Sequence, residues 1–472
     1  MSPEHAQETR TLRGTLPPGS PDYVYLPVEV PPGVRELRVA YRYERPPVPP
    51  GTPGNALDIG VFDARGTALG GAGFRGWSGG ARSEFFLRAD EATPGYVPGP
   101  LRPGTWQLAL GPYTVAPGGL PYEIEVTLVH GEPGGAVPVP RYPAERARGR
   151  GRDWYRGDCH LHSWHSDGRR TPAEIGALAR AAGLDFLNSS EHNTHAGHPH
   201  WAEVAGDDLL VLLGEEVTTR NGHALAIGVD PGTFVDWRYR ARDGEFGWFA
   251  REIRGAGGLV VPAHPYAECL GCAWKFGFAA ADAVEVWNGP WTPDDEIALA
   301  AWDAALVTGV HGTGWLPAIG GSDAHRAPDL VGRPQTVVHA DDLTRRALLS
   351  ALRAGRCYVA ESRHLTLSLT ASGADGSRAG IGERLTVAPD TPVTVRLEVS
   401  GAPRCVPRLV TDQGTVFSTG PLPVTGAGEV EWRTTARYAA YVRAEVRHET
   451  AFGPRPGVMA AFTNPVFLGE AA

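Results

Sequence analysis

The sequence predicts a multidomain α/β protein in which a parallel sheet covered by helices is flanked on both sides by small β-sandwich domains. Three observations predict it. Short strand-like runs alternate with helical patterns through the middle of the chain, the signature of a parallel sheet with crossover helices. The segments before and after lack helical periodicity and carry brief β runs separated by Gly and Pro turns. At 472 residues the chain is also too long for a single ordinary core. The divisions fall at 1–140 for an N-terminal β-sandwich, 141–152 for a linker, 153–361 for the α/β unit and 362–472 for a C-terminal β domain.

In the first segment, β character marks Tyr23–Val30, Glu36–Tyr43, Leu57–Phe62, Thr105–Leu110 and Tyr122–Val129. Pro-Gly, Gly-Gly and Asp-Ala-Arg-Gly turns separate these runs. The stretch 141–152 is basic, contains proline and has no periodic apolar face, so it reads as a linker whose charge can contact a neighbouring domain. The clearest helix begins at Thr171-Pro172-Ala173-Glu174, where Thr171 can cap, Pro172 suits the first helical position and Glu174 completes a capping box. Its expected buried face is Ile175, Leu178, Ala179 and Ala182. Helical patterns recur near Gly244–Gly255, Asp294–Thr308 and Asp342–Ala354. Between them lie apolar runs at Asp185–Asn188, Leu209–Leu213, Ala224–Val229, Leu259–Val261, Ala283–Trp287 and Pro317–Ile319. Beyond residue 362, strands are expected at Leu365–Ala371, Val393–Ser400, Arg408–Thr411, Glu429–Thr434 and Ala439–Val446.

Composition narrows the function classes. With 44 Lys+Arg against 53 Asp+Glu the chain is mildly acidic, which argues against a large nucleic-acid or anionic-membrane surface. The first residues hold no apolar run of the signal-peptide kind, and about 18 consecutive apolar residues occur nowhere, so a cytoplasmic location without membrane partners is expected. Five cysteines form no disulfide framework. The pair Cys269 and Cys272 could bind zinc or cycle between thiol and disulfide. The β domains hold few clustered histidines or carboxylates. They are expected to serve packing, a lid or a homo-oligomer contact.

Chemistry concentrates in the middle. Eleven of sixteen histidines fall within residues 151–330, most directly after an apolar run, and strand ends are where barrel enzymes place catalytic groups. His160-Leu161-His162 sets two imidazoles at alternate positions, which share one side of an extended chain. Asp167 follows in a loop; Glu191 and His192 end the next run, Glu215 and Glu216 the one after, and His223 opens its successor. His264-Pro265 and Ser322-Asp323-Ala324-His325 each follow a further run. Singly, each has a plain reading as a solvated histidine, a helix cap or an ion-pair partner. Together they ask for a shared partner, and a metal ion is the one that buried imidazoles and carboxylates have in common.

His160-x-His162, Asp167-Gly168, Ser190-Glu191-His192-Asn193, Gly214-x-Glu216, His264-Pro265 and Ser322-Asp323-x-His325 resemble, in order, the motifs of the polymerase and histidinol phosphatase (PHP) superfamily over roughly residues 153–360. Asn288 after Ala283–Trp287, with Thr463-Asn464-Pro465 near the C-terminus, looks like the CehA/McbA branch, which includes carbaryl hydrolases. The resemblance implies a distorted seven-stranded (β/α) barrel with two or three divalent ions, Zn, Mn or Fe, at the strand ends. It implies that His160, His162, Glu216 and Asp323 hold one ion. Glu216 would bridge to a second held by His223 and His264, with Asp167, His192 and His325 at a third. Glu191 stands where the superfamily usually has Asp, so it is expected behind the ligands, orienting an imidazole.

Such a cluster works by Lewis acidity, polarising the scissile bond's oxygen and lowering the pKa of a bound water, to about 7 in the zinc case. A bridging hydroxide is then the nucleophile. No Gly-x-x-x-x-Gly-Lys-[Ser/Thr] loop is present, and Cys159 reads as packing beneath the site. Glu216, Asp323, Asn288, His195 and Arg326 are the expected catalytic group, with Arg220, Arg326 and Lys275 as phosphate-binding candidates and Trp274, Trp287 and Trp291 as an apolar wall. The expected function is a metal-dependent hydrolase of small ester substrates, foremost a phosphomono- or diesterase. The alternative is a carbamate or carboxylic ester hydrolase. A non-catalytic metal-binding relic would be expected to have lost ligands, and the set is intact.

Overall fold

The computed structural model describes residues 6–132, 135–310, 315–450 and 457–470. Eight strands precede the linker: β1 (Gln7–Leu16), β2 (Val24–Val30), β3 (Val34–Tyr43), β4 (Ala56–Phe62), β5 (Phe74–Gly79), β6 (Glu84–Arg88), β7 (Gly104–Thr114) and β8 (Leu120–His130). They make two four-stranded antiparallel sheets, ordered β1-β8-β3-β6 and β2-β7-β4-β5. Alternate residues such as Leu37, Val39, Leu57, Ile59, Leu108 and Leu128 meet between the sheets around the wholly buried Trp106. Each large apolar side chain removed from water this way contributes roughly 1.5–3 kcal/mol. The three strands of this segment that pattern reading misses have physical excuses: β1 is a charged, largely exposed edge, β5 bulges against β4 with Gly76 at φ +145°, and β6 is a five-residue edge.

The middle segment contributes β9 (Asp153–Asp158), β10 (Phe186–His192), β11 (Leu210–Thr219), β12 (Gly222–Ile227), β13 (Leu259–Ala263), β14 (Val284–Asn288), β15 (Ala318–Gly321), β16 (Gln335–Ala340) and β17 (Cys357–Ala360). Its helices are α1 (Pro172–Ala181), α2 (Phe246–Gly255), α3 (Pro293–Gly309) and α4 (Arg345–Arg353). The ladder runs β13-β12-β11-β10-β9-β16-β17. β9, β10 and β11 are parallel, and the near-continuous burial of β10 and β11 is what a sheet covered on both faces requires. The flanking pairs are antiparallel. β14 and β15 pair only with each other, lying beside β13 and β16 without joining the ladder. A closed seven-stranded (β/α) barrel is therefore not what the hydrogen bonding shows; the unit is strand-rich, with few helices.

At α1 the capping box forms: Thr171 Oγ1 accepts from the Glu174 backbone N–H, and the Thr171 N–H donates to Glu174. The buried face is Pro172, Ile175, Gly176 and Ala179, and Leu178 lies outward. The rotation has a cause: a Cβ on Gly176 would stand 2.3 Å from Val204, so the helix seats its glycine against that side chain.

The linker arginines bind the neighbouring unit, Arg150 to Asp153 and Asp185 and Arg146 to Asp342. Of the C-terminal strands, segments 366–373, 378–380, 392–400 and 428–435 make a four-stranded sheet, while Met459–Thr463 and then 441–447, 406–411 and 414–418 extend the central ladder beyond β17. Asn464 fastens this junction, accepting from the Ala318 N–H at 2.8 Å and donating to the carbonyls of Ala318 and Cys357 at 2.9 and 3.0 Å. Among the described residues no helix is long and apolar enough to cross a membrane.

The N-terminal sandwich is docked on the middle unit. One apolar cluster takes Phe62, Phe74 and Trp77 from the first and Val217, Trp237 and Phe249 from the second. Arg240 grips Asp22 through both carboxylate oxygens, and Arg238 donates to the Tyr25 hydroxyl at 2.6 Å.

Candidate metal centre

β9 stops at Asp158, and the chain continues extended through His160 and His162, whose rings turn to one side while Cys159 and Leu161 enter the core. Parallel pairing sets His192, the last residue of β10, opposite Glu216 of β11. The antiparallel partner β12 then brings His223 opposite Ala263, so His264 is next in line. After β15, Ala324 bridges to Leu161, carrying Asp323 and His325 to the two imidazoles. Asn193, His264 and Asp323 have φ of +54°, +27° and +49°. Left-handed backbone at residues other than glycine costs of order 1–3 kcal/mol each and collects at functional sites; here it marks where the chain turns sharply to present a side chain.

Glu216 is the hub. Its Oε2 lies 3.2 Å from His160 Nε2, 3.2 Å from His162 Nε2 and 2.9 Å from His192 Nδ1. Its Oε1 lies 2.9 Å from His223 Nδ1 and 3.2 Å from His264 Nε2. Asp323 Oδ1 stands 3.3 and 3.1 Å from the same nitrogens of His160 and His162. Asp167 Oδ1 stands 3.5 Å from His192 Nε2 and 3.2 Å from His325 Nε2. Three groups of potential ligands result: His160, His162, Glu216 and Asp323; Glu216, His223 and His264; and His162, Asp167, His192 and His325.

These side chains fit divalent cations. His160 Nε2, His162 Nε2, Glu216 Oε2 and Asp323 Oδ1 are buried without a hydrogen bond, although each of the two nitrogens lies 3.1–3.3 Å from each of the two oxygens. Ligand atoms at 2.0–2.1 Å from a tetrahedral ion sit about 3.3–3.4 Å apart. Near neighbours that fail to hydrogen-bond at that spacing are arranged around a common point.

Charge agrees. Burial favours neutral imidazole, yet Asp323, Glu285 and Glu216 lift the pKa of His160 well above its ordinary value. Burial likewise opposes, and Glu216 and Asp167 outweigh it, in raising His192 to about 10. Burial would raise Glu216 and Asp323, but the surrounding imidazoles hold both far below the usual carboxylate range. The carboxylates stay ionised and call for positive charge, which protons or metal ions can supply.

Behind the cluster stands a group that motif reading missed. Glu285 Oε1 is 3.0 Å from His160 Nδ1, and its Oε2 accepts from the His264 N–H at 2.8 Å and from Asn288 Nδ2 at 3.1 Å. A carboxylate on the far nitrogen fixes the tautomer that leaves Nε2 free to ligate. Its signal was available, since Glu285 is the one charge inside the apolar strand Val284–Asn288. Asn288 reaches toward Asp323 Oδ2 at 3.4 Å. Glu191 touches no ligand ring; its carboxylate accepts from the hydroxyls of Ser163 and Ser166, and Ser166 in turn lies 3.4 Å from His162 Nδ1.

Other candidates fall elsewhere. His195 is packed against Phe74 and Phe234, away from the cluster, and burial pulls its pKa down to about 3. It is pointed there because its loop folds into the contact between sandwich and middle unit. Arg326 and Lys275 project into solvent. Trp274 packs on Phe246 and Phe276. Cys269 and Cys272 form a disulfide, and Cys159 is buried in the core.

Two clefts reach the cluster. One of about 450 Å³ exposes Asp167, His192 and His223 and is closed on its far side by the N-terminal sandwich; Arg220 lies in its wall. The other, about 500 Å³, exposes Asn288 and Asp323 beside Trp287 and Trp291.

Residues 315–357, which span Asp323 and His325, match the family model PHP_C, described as PHP-associated. No curated protein matches the chain. Among solved structures, a two-domain protein from Bacteroides vulgatus containing a predicted PHP-like metal-dependent phosphoesterase aligns over 70% of this chain and 100% of its own, at 18% identity and TM-score 0.37. A candidate metal-dependent phosphoesterase from Bifidobacterium adolescentis aligns over 37% of this chain and 90% of its own, at 21% identity and TM-score 0.27. An amidohydrolase from Chromobacterium violaceum, with bound sulfate and no metal, aligns over 37% and 89%, at 20% identity and TM-score 0.26.

Proposed function

We propose that the chain is a metal-dependent hydrolase of PHP type, of the CehA/McbA branch, that cleaves phosphomono- or diesters. The observation that carries the reading is Glu216, whose two oxygens are turned to two separate sets of imidazoles. The PHP-associated match around Asp323 supports it. Two or three divalent ions, Zn, Mn or Fe, would be held by His160, His162, Glu216 and Asp323, by Glu216, His223 and His264, and by Asp167, His192 and His325. Bound there, they would supply Lewis acidity and an activated water.

The protein's own groups do the rest. Glu285 keeps the proton of His160 on Nδ1. Asn288, beside Asp323, can donate to a substrate oxygen. Arg220 offers a guanidinium to an anionic substrate in the cleft that exposes Asp167 and His192. Water adds to the ester centre, the bond to the leaving oxygen breaks, and a proton passes to that oxygen to release an alcohol and an acid. A second reading, carbamate or carboxylic ester hydrolysis, is favoured by the aromatic side chains at both cleft mouths.

Protein reconstituted with Mn or Zn should be assayed on aryl phosphomonoesters, aryl phosphodiesters and aryl N-methylcarbamates, with His160→Ala as blank. Phosphoester turnover lost in the variant supports the first reading, carbamate turnover the second. Parent and variant indistinguishable on all three would overturn both.

A further inference from the structure

The cleft beside His192 has a wall that belongs to a different domain from its metal-facing floor. Tyr23, Asp58, Trp77 and Tyr113 come from the N-terminal sandwich. Trp77 and Trp237 pack at 4.9 Å, with the Tyr23 ring 6.1 and 6.2 Å from them, an aromatic contact that ties the two domains together behind the cleft. Arg220 lies over the Tyr113 ring at 4.2 Å.

Asp58 is unusual within that wall. It sits on β4 opposite Gly111 of β7, and among the described residues its carboxylate has neither a hydrogen bond nor an ion pair. The Tyr23 hydroxyl beside it is likewise unpartnered among the described residues. Glycines keep the space around the carboxylate open: a Cβ on Gly80 would lie 3.4 Å from Asp58 Oδ1, and one on Gly111 would lie 3.3 Å from Asp58 Cβ and 2.9 Å from the Trp77 ring. The carboxylate opens onto the cleft, where it can accept a hydrogen bond from a molecule lodged there. Burial raises its pKa to about 6, with Arg220 and His192 opposing, so it is ionised at neutral pH and acts as an acceptor.

We propose that the N-terminal sandwich forms the substrate-specificity subsite of this centre, with Asp58 accepting a hydrogen bond from a hydroxyl or amino group on a flat ring laid against Tyr23. The occupant is then an ester whose ring-bearing portion carries a hydrogen-bond donor on the side away from the scissile bond. This rests on the hydrolase reading only for what happens to the bound ester, because recognition of the ring does not need turnover.

The probes are hydroquinone, which has the donor, and 1,4-dimethoxybenzene, in which both hydroxyls are replaced by acceptors. Their binding to the full-length, metal-loaded protein is followed by tryptophan fluorescence for the parent, Asp58→Asn and Asp58→Ser. The parent should prefer hydroquinone at least tenfold. Asp58→Asn should erase or reverse that preference, because its amide can donate to the methoxy oxygen, while metal content and melting temperature stay at parental values. A preference unchanged in both variants, or no binding by the parent of either probe, overturns the subsite. If discrimination follows Asp58 while every ester in the turnover assay remains intact, the subsite stands and the hydrolase reading falls.

Discussion

Replacing Glu285 by glutamine tests whether a carboxylate behind the cluster sets its metal affinity. The parent carboxylate accepts from His160 Nδ1 at 3.0 Å, from the His264 N–H at 2.8 Å and from Asn288 at 3.1 Å. Glutamine has the same shape but only one accepting oxygen. Turned to serve His160, it points its NH₂ at the His264 N–H; turned the other way, it meets the His160 ring. Either way one buried donor loses its acceptor, at about 1–3 kcal/mol. The same interval follows from the 10–100-fold loss typical of partners behind metal ligands, since tenfold is about 1.4 kcal/mol. Competition with a chromophoric chelator should therefore show the tightest-bound ion weakened 10- to 100-fold, while the melting temperature of metal-free protein moves little. An affinity equal to the parent's would mean that His160 does not ligate through Nε2 in the tautomer argued here.

Three further outcomes follow. Glu216→Ala removes an oxygen from two ligand groups at once, so elemental analysis should find at most one ion per chain and turnover should fall to background; full occupancy would end the bridging role. Gly157→Ala places a Cβ 2.2–2.4 Å from the Phe186 ring in the wholly buried sheet beneath the site, and this overpacking should cost about 1–3 kcal/mol, visible as a lower denaturation midpoint. Asp22, whose carboxyl is lowered chiefly by its hydrogen bond with Arg240, stabilises the docked sandwich above the unfolded Asp value near about 3.9, and that contribution fades as pH falls through the lower folded value. The melting-temperature gap between parent and Asp22→Asn should be constant from pH 5 to 7 as assay conditions and close in more acidic buffer; a gap that widens on acidification would refute the clamp.

Much of the site could be read from residue types alone. His160-x-His162, Glu216 and Asp323-x-His325 follow apolar runs, and strand periodicity places them on one side and at one edge of a sheet. All four helices showed as helical patterns in the sequence, and α1 formed where the Thr171 and Glu174 capping box required it. What stayed hidden depended on packing. The burial of α1 turned on a glycine meeting Val204 from 28 residues away along the chain. Glu285 looked like one charge in an apolar strand until His160 stood opposite it. His195 resembled its neighbours in a histidine-rich loop, and only the docking of Phe74 onto that loop drew it away.

By itself, the sequence determined the helices and which imidazoles and carboxylates could cluster, because these depend on local periodicity, capping and the solvation cost of buried polar groups. The tertiary structure alone decided that β14 and β15 stand apart from an unclosed ladder, that Glu216 turns one oxygen to each side, and that Asp58 and His192, from different domains, line one cleft. These are contacts between residues far apart in the chain, fixed by strand register and domain docking, and no local pattern encodes either.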